Sequence, residues 1–485
     1  MIGAQHLLFE KRAREYGPVY QVKVGFFTQY MISTDVAAKA LFDGKSASSA
    51  AERPRWIVSN EQICNKWNVL LLNASEPRWK LQRKVAHGTM TSIPKADAGL
   101  PALHYESLKF LYEVSHDTAA MESSHKLWDH LQRYTYSTFT TQSMGFEISR
   151  ADSPAIEYIH ETGKAQILAT LPGSHFVDIF PILDHLPLFL KPWERDARAR
   201  FQRDLAWLSA RLAKLKAMPD RSAIEDSLIG KVLDDPNKLG FDSELEGIYF
   251  ALMMAIGAAD TSQVSTWSFL EAMLRYPSVQ KKGQAAIDAV CDDRVPVFED
   301  LDRIPYVRCL LKETWRWRPP VPLGHPHAVT KDMEYDGLLI PAGTRIHLNA
   351  WAIQHDPARH ADPDDFIPER YEADATTTMQ SINSPDAKDR DHFAFGAGRR
   401  ICPGYNVAER SLAVGIMRIL WAFDVEVGEK AKLPLDSADF KGLMPGVPGS
   451  DMPVKFVVRT GKREVIGKAF AEAERGRVPI ASLDD

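Results

Sequence analysis

The residues Phe395-Gly-Ala-Gly-Arg-Arg-Ile-Cys402-Pro-Gly404 form the most informative ten-residue stretch of the chain. Gly396 and Gly398 allow a positive φ and a close backbone approach, so a tight turn can form before Cys402. Pro403 suits the first position of a helix, which would place the cysteine at a helix N-terminus, where partial positive charge favours the thiolate. A thiolate at that place is a strong metal ligand, and Gly404 leaves room for a flat cofactor.

The alternative interpretation of this stretch is a buried structural cysteine in a glycine-rich turn. The geometric reason behind each special residue argues against it. Cys64, Cys291 and Cys309 have no such surroundings and are expected to be core or surface thiols. Four scattered cysteines do not suggest a disulfide framework or a zinc site.

Composition excludes several classes of protein. The 485 residues carry 59 basic and 64 acidic side chains, a net charge of −5, which argues against a general nucleic-acid binder. The N-terminal apolar piece, residues 7–9, is too short for a signal peptide. The longest apolar run, residues 248–259, stops at Asp260 and falls short of the ~18 residues needed to span a bilayer.

Helical patterns dominate the chain, and no Pro/Gly/Ser linker divides it. The sequence therefore predicts a mainly α fold with small β-sheets, in a single domain over residues 1–485. The expected elements are a first helix over 4–16, a hairpin over 19–33, a long central helix over 242–275, a helix over 301–318, strands within 333–349 and a final helix after Pro403.

The cysteine stretch resembles the haem-binding signature of the cytochrome P450 family, with Phe395, Gly396, Gly398, Arg400, Cys402 and Gly404 in place. The resemblance covers nearly the whole chain and implies a cytochrome P450-type domain whose long helix crosses the haem. It implies haem b (iron protoporphyrin IX) as cofactor and Cys402 as the ligand of its iron. The chain is most similar to filamentous-fungal microsomal members of secondary metabolism, and the N-terminal membrane anchor of such members is expected to be absent from this chain.

Three further motifs support the resemblance. Glu313 and Arg316 lie three apart on one helical face, and with Arg370 they are expected to form a buried structural cluster behind the cysteine loop. Taken alone, such a pair is usually a solvated ion pair.

The second motif is Asp260-Thr261, where polar residues interrupt an apolar helix. A buried carboxylate needs a partner or a purpose. The resemblance implies the family's acid–alcohol pair, which delivers protons for oxygen activation, although Ala258 stands where the family often has a second glycine. The alternative for an Asp-Thr pair alone is a helix face that reaches water.

The third motif concerns the two haem propionates. The resemblance implies that Trp79, Arg83, His327 and Arg400 hydrogen-bond them, because two carboxylates call for several donors. An ordinary loop histidine is the alternative for His327.

The resemblance implies a monooxygenase that inserts one atom of O2 into a small apolar or aromatic substrate. The expected walls of its pocket are residues 69–71, 254, 255, 258, 321–323 and 444–446. Oxidative coupling, desaturation or rearrangement remains an alternative, and a non-catalytic haem sensor or electron carrier is a weaker one.

No flavin-sized domain follows the last predicted helix, so the electrons are expected from a separate NADPH-cytochrome P450 reductase. Arg78, Lys80, Lys84 and Arg399 are candidates for a basic docking face. The resemblance places the protein at the cytosolic face of the endoplasmic reticulum membrane. The apolar, proline-broken residues 176–190 could touch a membrane surface, but a lid packed on the core is the favoured interpretation.

Overall fold

Helices make up most of the residues that the computed structural model describes, namely 5–25, 27–171, 173–428 and 452–484. The α-helices are α1 (Gln5–Tyr16), α2 (Asp35–Phe42), α3 (Pro77–Ala86), α4 (Ile93–Ala98), α5 (Leu100–His116), α6 (Thr118–Glu122), α7 (Ser124–Met144), α8 (Pro154–Leu168), α9 (Phe176–Ile179), α10 (Pro192–Lys216), α11 (Leu228–Asp234), α12 (Pro236–Leu239), α13 (Glu244–Arg275), α14 (Pro277–Cys291), α15 (Pro305–Trp317), α16 (Ala350–Gln354), α17 (Thr378–Ile382), α18 (Tyr405–Ala422) and α19 (Lys462–Arg475). Short π-helical segments lie at Ile57–Ile63 and His87–Thr91. Short 3-10 segments lie at Gly44–Ser46, Pro181–His185, Leu188–Leu190, Ser222–Ile224, Phe298–Arg303, Pro368–Tyr371, Ala387–Asp389 and Gly398–Arg400.

The strands are short and lie in small sheets. They are β1 (Val19–Val24), β2 (Phe27–Ile32), β3 (Phe146–Glu147), β4 (His327–Ala328), β5 (Met333–Tyr335), β6 (Leu338–Ile340), β7 (Arg345–Leu348), β8 (Phe423–Val427), β9 (Val454–Val458) and β10 (Ala481–Ser482). The largest sheet has the order β1-β2-β7-β4, with β2 and β7 parallel and the other pairs antiparallel. This sheet carries His327 on its last strand.

The central helix α13 organises the molecule. The Ser243 side chain caps it by accepting a hydrogen bond from the Glu246 N–H at 3.2 Å, and acidic residues in its first turn suit the helix dipole. Its 32 residues extend about 48 Å. One hydrophobic core contains Ile248 and Leu252 of this helix, and another contains Trp267 and Leu270. The polar residues that start at Asp260 lie between these two stretches.

Most of the predicted elements are confirmed, with three differences. The predicted hairpin is present as β1 and β2, and the central helix begins two residues later than expected. The predicted helix over 301–318 is divided into a 3-10 segment, Phe298–Arg303, and α15, which begins at Pro305, where the missing N–H costs nothing.

The predicted helix after Pro403 is confirmed as α18, but it is not the last helix, because α19 comes later in the chain. Its apolar residues Val465, Ile466, Ala469 and Phe470 lie on one helical face. This face packs on α5, where the rings of Phe470 and Tyr112 stack with centroids 4.5 Å apart. Within the described ranges, no helix has the length and apolarity that a membrane span requires.

Candidate active site

The loop before Cys402 forms the predicted tight turn. Gly396 and Gly398 have φ values of +77° and +67°, which other residues adopt at a cost. A Cβ on Gly398 would overlap the backbone carbonyl of Phe42, so α2 and the loop can pack this closely only around a glycine. The ring of Phe395 meets Trp315 edge-on at 4.8 Å, and its carbonyl accepts from the Cys402 N–H at 2.9 Å.

The Cys402 sulfur faces a backbone donor. The Gly404 N–H points at Sγ from 3.3 Å. Helix α18 begins at Tyr405 with Gly404 as its N-cap, so the prediction that Pro403 is the first helical residue was wrong. Burial raises the pKa of the thiol, and the Gly404 N–H and the Arg83 guanidinium oppose that rise. Metal coordination deprotonates a thiol outright, so the two opposing groups would stabilise the ligated thiolate.

The residues expected at the haem propionates all line one cavity: Trp79, Arg83, His327 and Arg400. Arg83 donates to the Ile401 carbonyl at 2.9 Å, which ties α3 to the cysteine loop. Arg400 donates to the carbonyls of Ala51, at 2.7 Å, and Leu72. Its guanidinium also lies over the Trp79 ring, 4.7 Å from the centroid.

His327 can donate a hydrogen bond to a propionate only in one protonation state. Its Nδ1–H donates to the Ala50 carbonyl at 2.6 Å, so the other ring nitrogen can donate only if the imidazole is protonated. Burial, with Arg53 and Arg400 nearby, lowers the pKa of His327 well below its usual value. A negatively charged ligand group would have to raise the pKa of His327 again, so that its second ring nitrogen carries a proton to donate.

The structure adds Arg53, which the sequence analysis did not identify. This arginine is 6% exposed, lines the cavity and donates to the carbonyls of Leu70, His325 and Pro326 at 2.8 to 3.1 Å. The sequence signal was weak: a charged residue three positions before the apolar residues 56–58.

Arg53, Arg83 and Arg400 form a cationic cluster in which the positive charges act on one another. None takes part in an ion pair within the described part of the chain. Burial is the main cause that lowers the pKa of Arg53 and of Arg400, and neighbouring arginines lower it further. Glu52 and Glu76 oppose the shift at Arg400. Buried positive charge of this kind is costly unless an anion compensates it. The two carboxylates of haem b would supply that compensation, so these residues fit the cofactor.

Asp260 and Thr261 lie on α13 and line the same cavity. Asp260 Oδ1 accepts a hydrogen bond from the Tyr136 hydroxyl at 2.5 Å, so the carboxyl has the partner that its burial requires. Burial raises the pKa of Asp260 to about 6, although the Tyr136 hydrogen bond opposes the rise. The Thr261 hydroxyl donates to the Gly257 carbonyl at 2.9 Å.

The expected cluster behind the cysteine loop is assembled. Arg316 donates to both carboxylate oxygens of Glu313 at 2.7 Å, and both side chains are fully buried. Arg370 approaches the same carboxylate at 3.4 Å. Arg316 also donates to the carbonyls of Gln354, Pro363 and Asp365, which joins α15 to the segment after α16.

The cavity has a volume of about 330 Å³ and mostly apolar walls. Of the expected wall residues, Val69, Leu70, Met254, Ala258 and Val321 line it. Leu71, Ala255 and Leu323 are instead buried in the cores. Residues 444–446 lie outside the described ranges.

The expected basic face is only partly free. Arg78 pairs with Asp242 at 2.7 Å and with Glu246 at 3.0 Å, which makes it a poor candidate for partner binding. Lys80, Lys84 and Arg399 are exposed.

The segment 176–190 packs on the core only in part. Val177 is buried in a hydrophobic core, and Asp178 Oδ1 accepts a hydrogen bond from the Ile57 N–H at 2.6 Å. Large apolar side chains that are at least half exposed lie along it: Phe176, Ile182, Leu188, Phe189 and Leu190. Pro181 and Pro187 break the remainder of the segment into short turns, which leave these side chains exposed.

Comparisons with known proteins agree with this geometry. The sequence model of the family described as cytochrome P450 matches residues 2–449. A cytochrome P450 monooxygenase of Gibberella fujikuroi is 54% identical over 482 residues, which cover 99% of this chain and 88% of the relative. The monooxygenase virE of Hypocrea virens is 33% identical over 91% of this chain and 78% of its own length.

A solved structure of a zebra fish cytochrome P450, with abiraterone, superposes with a TM-score of 0.71. The superposition covers 94% of this chain and 100% of that chain, at 21% identity, and supports the fold. The matched family, the fungal relatives and the shared fold together show that the chain belongs to the cytochrome P450 family of haem-thiolate monooxygenases, whose cofactor is haem b.

Proposed function

We propose that this monooxygenase oxidises a small apolar or aromatic molecule, with Cys402 as the ligand of the haem iron. The carrying observation is the cavity that Cys402, the cationic cluster and the Asp260–Thr261 pair all line. Bound through a cysteine thiolate, haem b supplies the chemistry that activates O2.

The residues around the cavity would divide the remaining work. Arg53, Arg83 and Arg400, with His327 and Trp79, would hold the propionates. The Gly404 N–H would stabilise the thiolate, and Gly396 and Gly398 would give the loop its shape. The Glu313–Arg316–Arg370 cluster would hold α15 and the segment after α16 in place behind the cysteine loop. Asp260 would exchange protons with groups in the cavity. The Thr261 hydroxyl would orient the groups between which the proton moves.

A spin-state screen tests the substrate class. We expect aromatic polyketides or terpenes, added to the haem-loaded protein, to shift the Soret band as they enter the apolar cavity. Products made under labelled O2 should then contain one labelled oxygen atom. An oxidised product without label would indicate coupling, desaturation or rearrangement instead. A likeness to fungal relatives supports a role in secondary-metabolite biosynthesis.

The iron ligand has a direct test. Cys402→Ser should abolish the red-shifted Soret band of the reduced carbonyl adduct, and Cys309→Ser, which changes a buried thiol of the core, should retain it. A Cys402→Ser protein that keeps the band would refute the assignment.

We further propose that electrons come from an NADPH-cytochrome P450 reductase that docks near Lys80, Lys84 and Arg399. These exposed cations would complement an acidic partner.

We also propose a peripheral contact between the exposed apolar side chains of residues 176–190 and the endoplasmic reticulum membrane. Ile182 and Phe189, 73% and 83% exposed, would enter the headgroup boundary. The double variant Ile182→Asp/Phe189→Asp should lose cosedimentation with phosphatidylcholine vesicles. Leu339→Asp, a change at a 54% exposed leucine outside this segment, is the matched control. Equal binding by both would exclude this contact.

A further inference from the structure

Asp260 is the inner end of a hydrogen-bonded path that begins near the protein surface. Tyr136, on α7, donates to Asp260 Oδ1 at 2.5 Å. The Nδ1 atom of His160, on α8, lies 3.3 Å from the Tyr136 hydroxyl oxygen. Tyr136 is fully buried, Asp260 lines the cavity and His160 is partly exposed. Three helices therefore connect the cavity to the exterior through three titratable groups.

The close approach of α8 to α13 depends on a glycine. A Cβ on Gly163 would lie 2.7 Å from Cγ2 of Ile256 and 3.4 Å from Oδ2 of Asp260. The residue that faces Asp260 from α8 is thus the smallest one, located three positions after His160. This packing lets α8 present His160 to the Tyr136 hydroxyl while Tyr136 reaches Asp260.

We propose that His160 and Tyr136 deliver protons to Asp260, an inference that rests on the monooxygenase function proposed above. Protonated His160 gives up its Nδ1 proton to the Tyr136 oxygen, and the Tyr136 O–H bond breaks as a new O–H bond forms on Asp260 Oδ1. The imidazolium becomes neutral and the carboxylate becomes a carboxylic acid. Asp260 then passes the proton into the cavity, and solvent reprotonates His160.

The charged groups around His160 lie on α8 and α10. Glu161 lies next to His160 on α8, where Lys164 pairs with it at 2.9 Å. Arg200 of α10 donates to the Glu161 carbonyl at 2.7 Å. Burial raises the pKa of Asp260, and the Tyr136 hydroxyl and His160 both oppose that rise. Because Tyr136 and His160 affect the cavity only through Asp260, we class both as positioning residues.

The first test follows the protonation of Asp260 directly. Infrared difference spectra of the haem-loaded protein should show a carboxylic acid band that titrates near pH 6 and is lost in Asp260→Asn. Tyr136→Phe removes a donor to the carboxylate, so the midpoint should rise by about one to two pH units. The matched control is Tyr158→Phe on α8, which breaks a 2.6 Å Tyr–Asp bond to Asp204 outside the cavity. An unchanged midpoint in Tyr136→Phe would overturn the proposal.

The second test measures proton delivery. With reductase present, Tyr136→Phe and His160→Gln should each slow NADPH oxidation roughly tenfold and change its pH profile, whereas Tyr158→Phe should behave as the wild type. Oxidation at the wild-type rate and pH profile in both relay variants would refute the path. A wild-type protein without a thiolate carbonyl band or reductase-supported O2 uptake would instead refute the proposed function.

Discussion

Gly398→Ala should damage the protein far more than a glycine substitution of equal backbone strain. The residue has a φ of +67°, a region that costs an alanine about 1–2 kcal/mol. Its Cβ would also overlap the Phe42 carbonyl at the end of α2, with the carbonyl carbon only 3.0 Å away. Because the obstructing atoms are backbone, the overlap adds about 1–3 kcal/mol. The expected loss of stability is therefore about 2–5 kcal/mol in total.

Gly343→Ala provides the matched control. Its φ is +82° and no atom lies within 4 Å of the added Cβ, so it should lose only the cost of the backbone conformation. Thermal unfolding of the haem-loaded proteins should rank wild type above Gly343→Ala and Gly343→Ala above Gly398→Ala. Phe42 also packs edge-on against His327 at 4.9 Å, so Gly398→Ala should retain less haem per chain. Equal unfolding temperatures and equal haem content in the two variants would refute the reasoning.

Four other predictions concern the Glu313–Arg316–Arg370 cluster, the Asp260–Thr261 pair, the docking face and the carboxyl of Asp178. Glu313→Gln leaves the fully buried Arg316 without its counter-charge and should cost about 3–5 kcal/mol, measured by denaturant unfolding. Thr261→Ala should keep haem but divert electrons to peroxide, measured as peroxide formed per NADPH. Reductase-supported turnover should fall with ionic strength more steeply than peroxide-driven turnover, because salt screens an exposed docking face. Burial raises the pKa of Asp178 to about 6, above its unfolded value, so the folded state binds the proton more tightly. This carboxyl should therefore lower stability as pH rises from about 4 to 6, and Asp178→Asn should remove that dependence, measured as the midpoint of urea unfolding against pH.

Each of these predictions has a clear contrary result. The control for Glu313→Gln is Glu299→Gln, a change at an exposed residue of a 3-10 segment. Equal stability of the two variants would contradict a buried counter-charge at Glu313. Undiminished coupling in Thr261→Ala would show that another group positions the protons. Equal salt dependence of the two turnovers would exclude a basic docking face, and the same pH dependence in Asp178→Asn would assign the effect to another carboxyl.

The sequence alone predicted those parts of the protein that short segments encode. The turn before Cys402 follows from glycines whose backbone freedom is local, and α13 follows from one long apolar run between a serine cap and a proline. The pairing of Glu313 with Arg316 follows from helical spacing. Helix α19 was encoded too, by an apolar face at helical spacing that the sequence analysis overlooked.

Only the tertiary structure decided which distant residues meet. Arg53 and Arg400, 347 positions apart in the sequence, lie close enough for their charges to interact. Tyr136 donates a hydrogen bond to Asp260, 124 positions later. Arg78 forms ion pairs with acidic groups around the start of α13. Local propensity carries no information about such contacts, because each depends on how whole helices pack and on which buried charges then lack water. The exposure of Ile182 and Phe189 has the same origin, since the burial of an apolar side chain depends on the assembled structure rather than on the apolar segment itself.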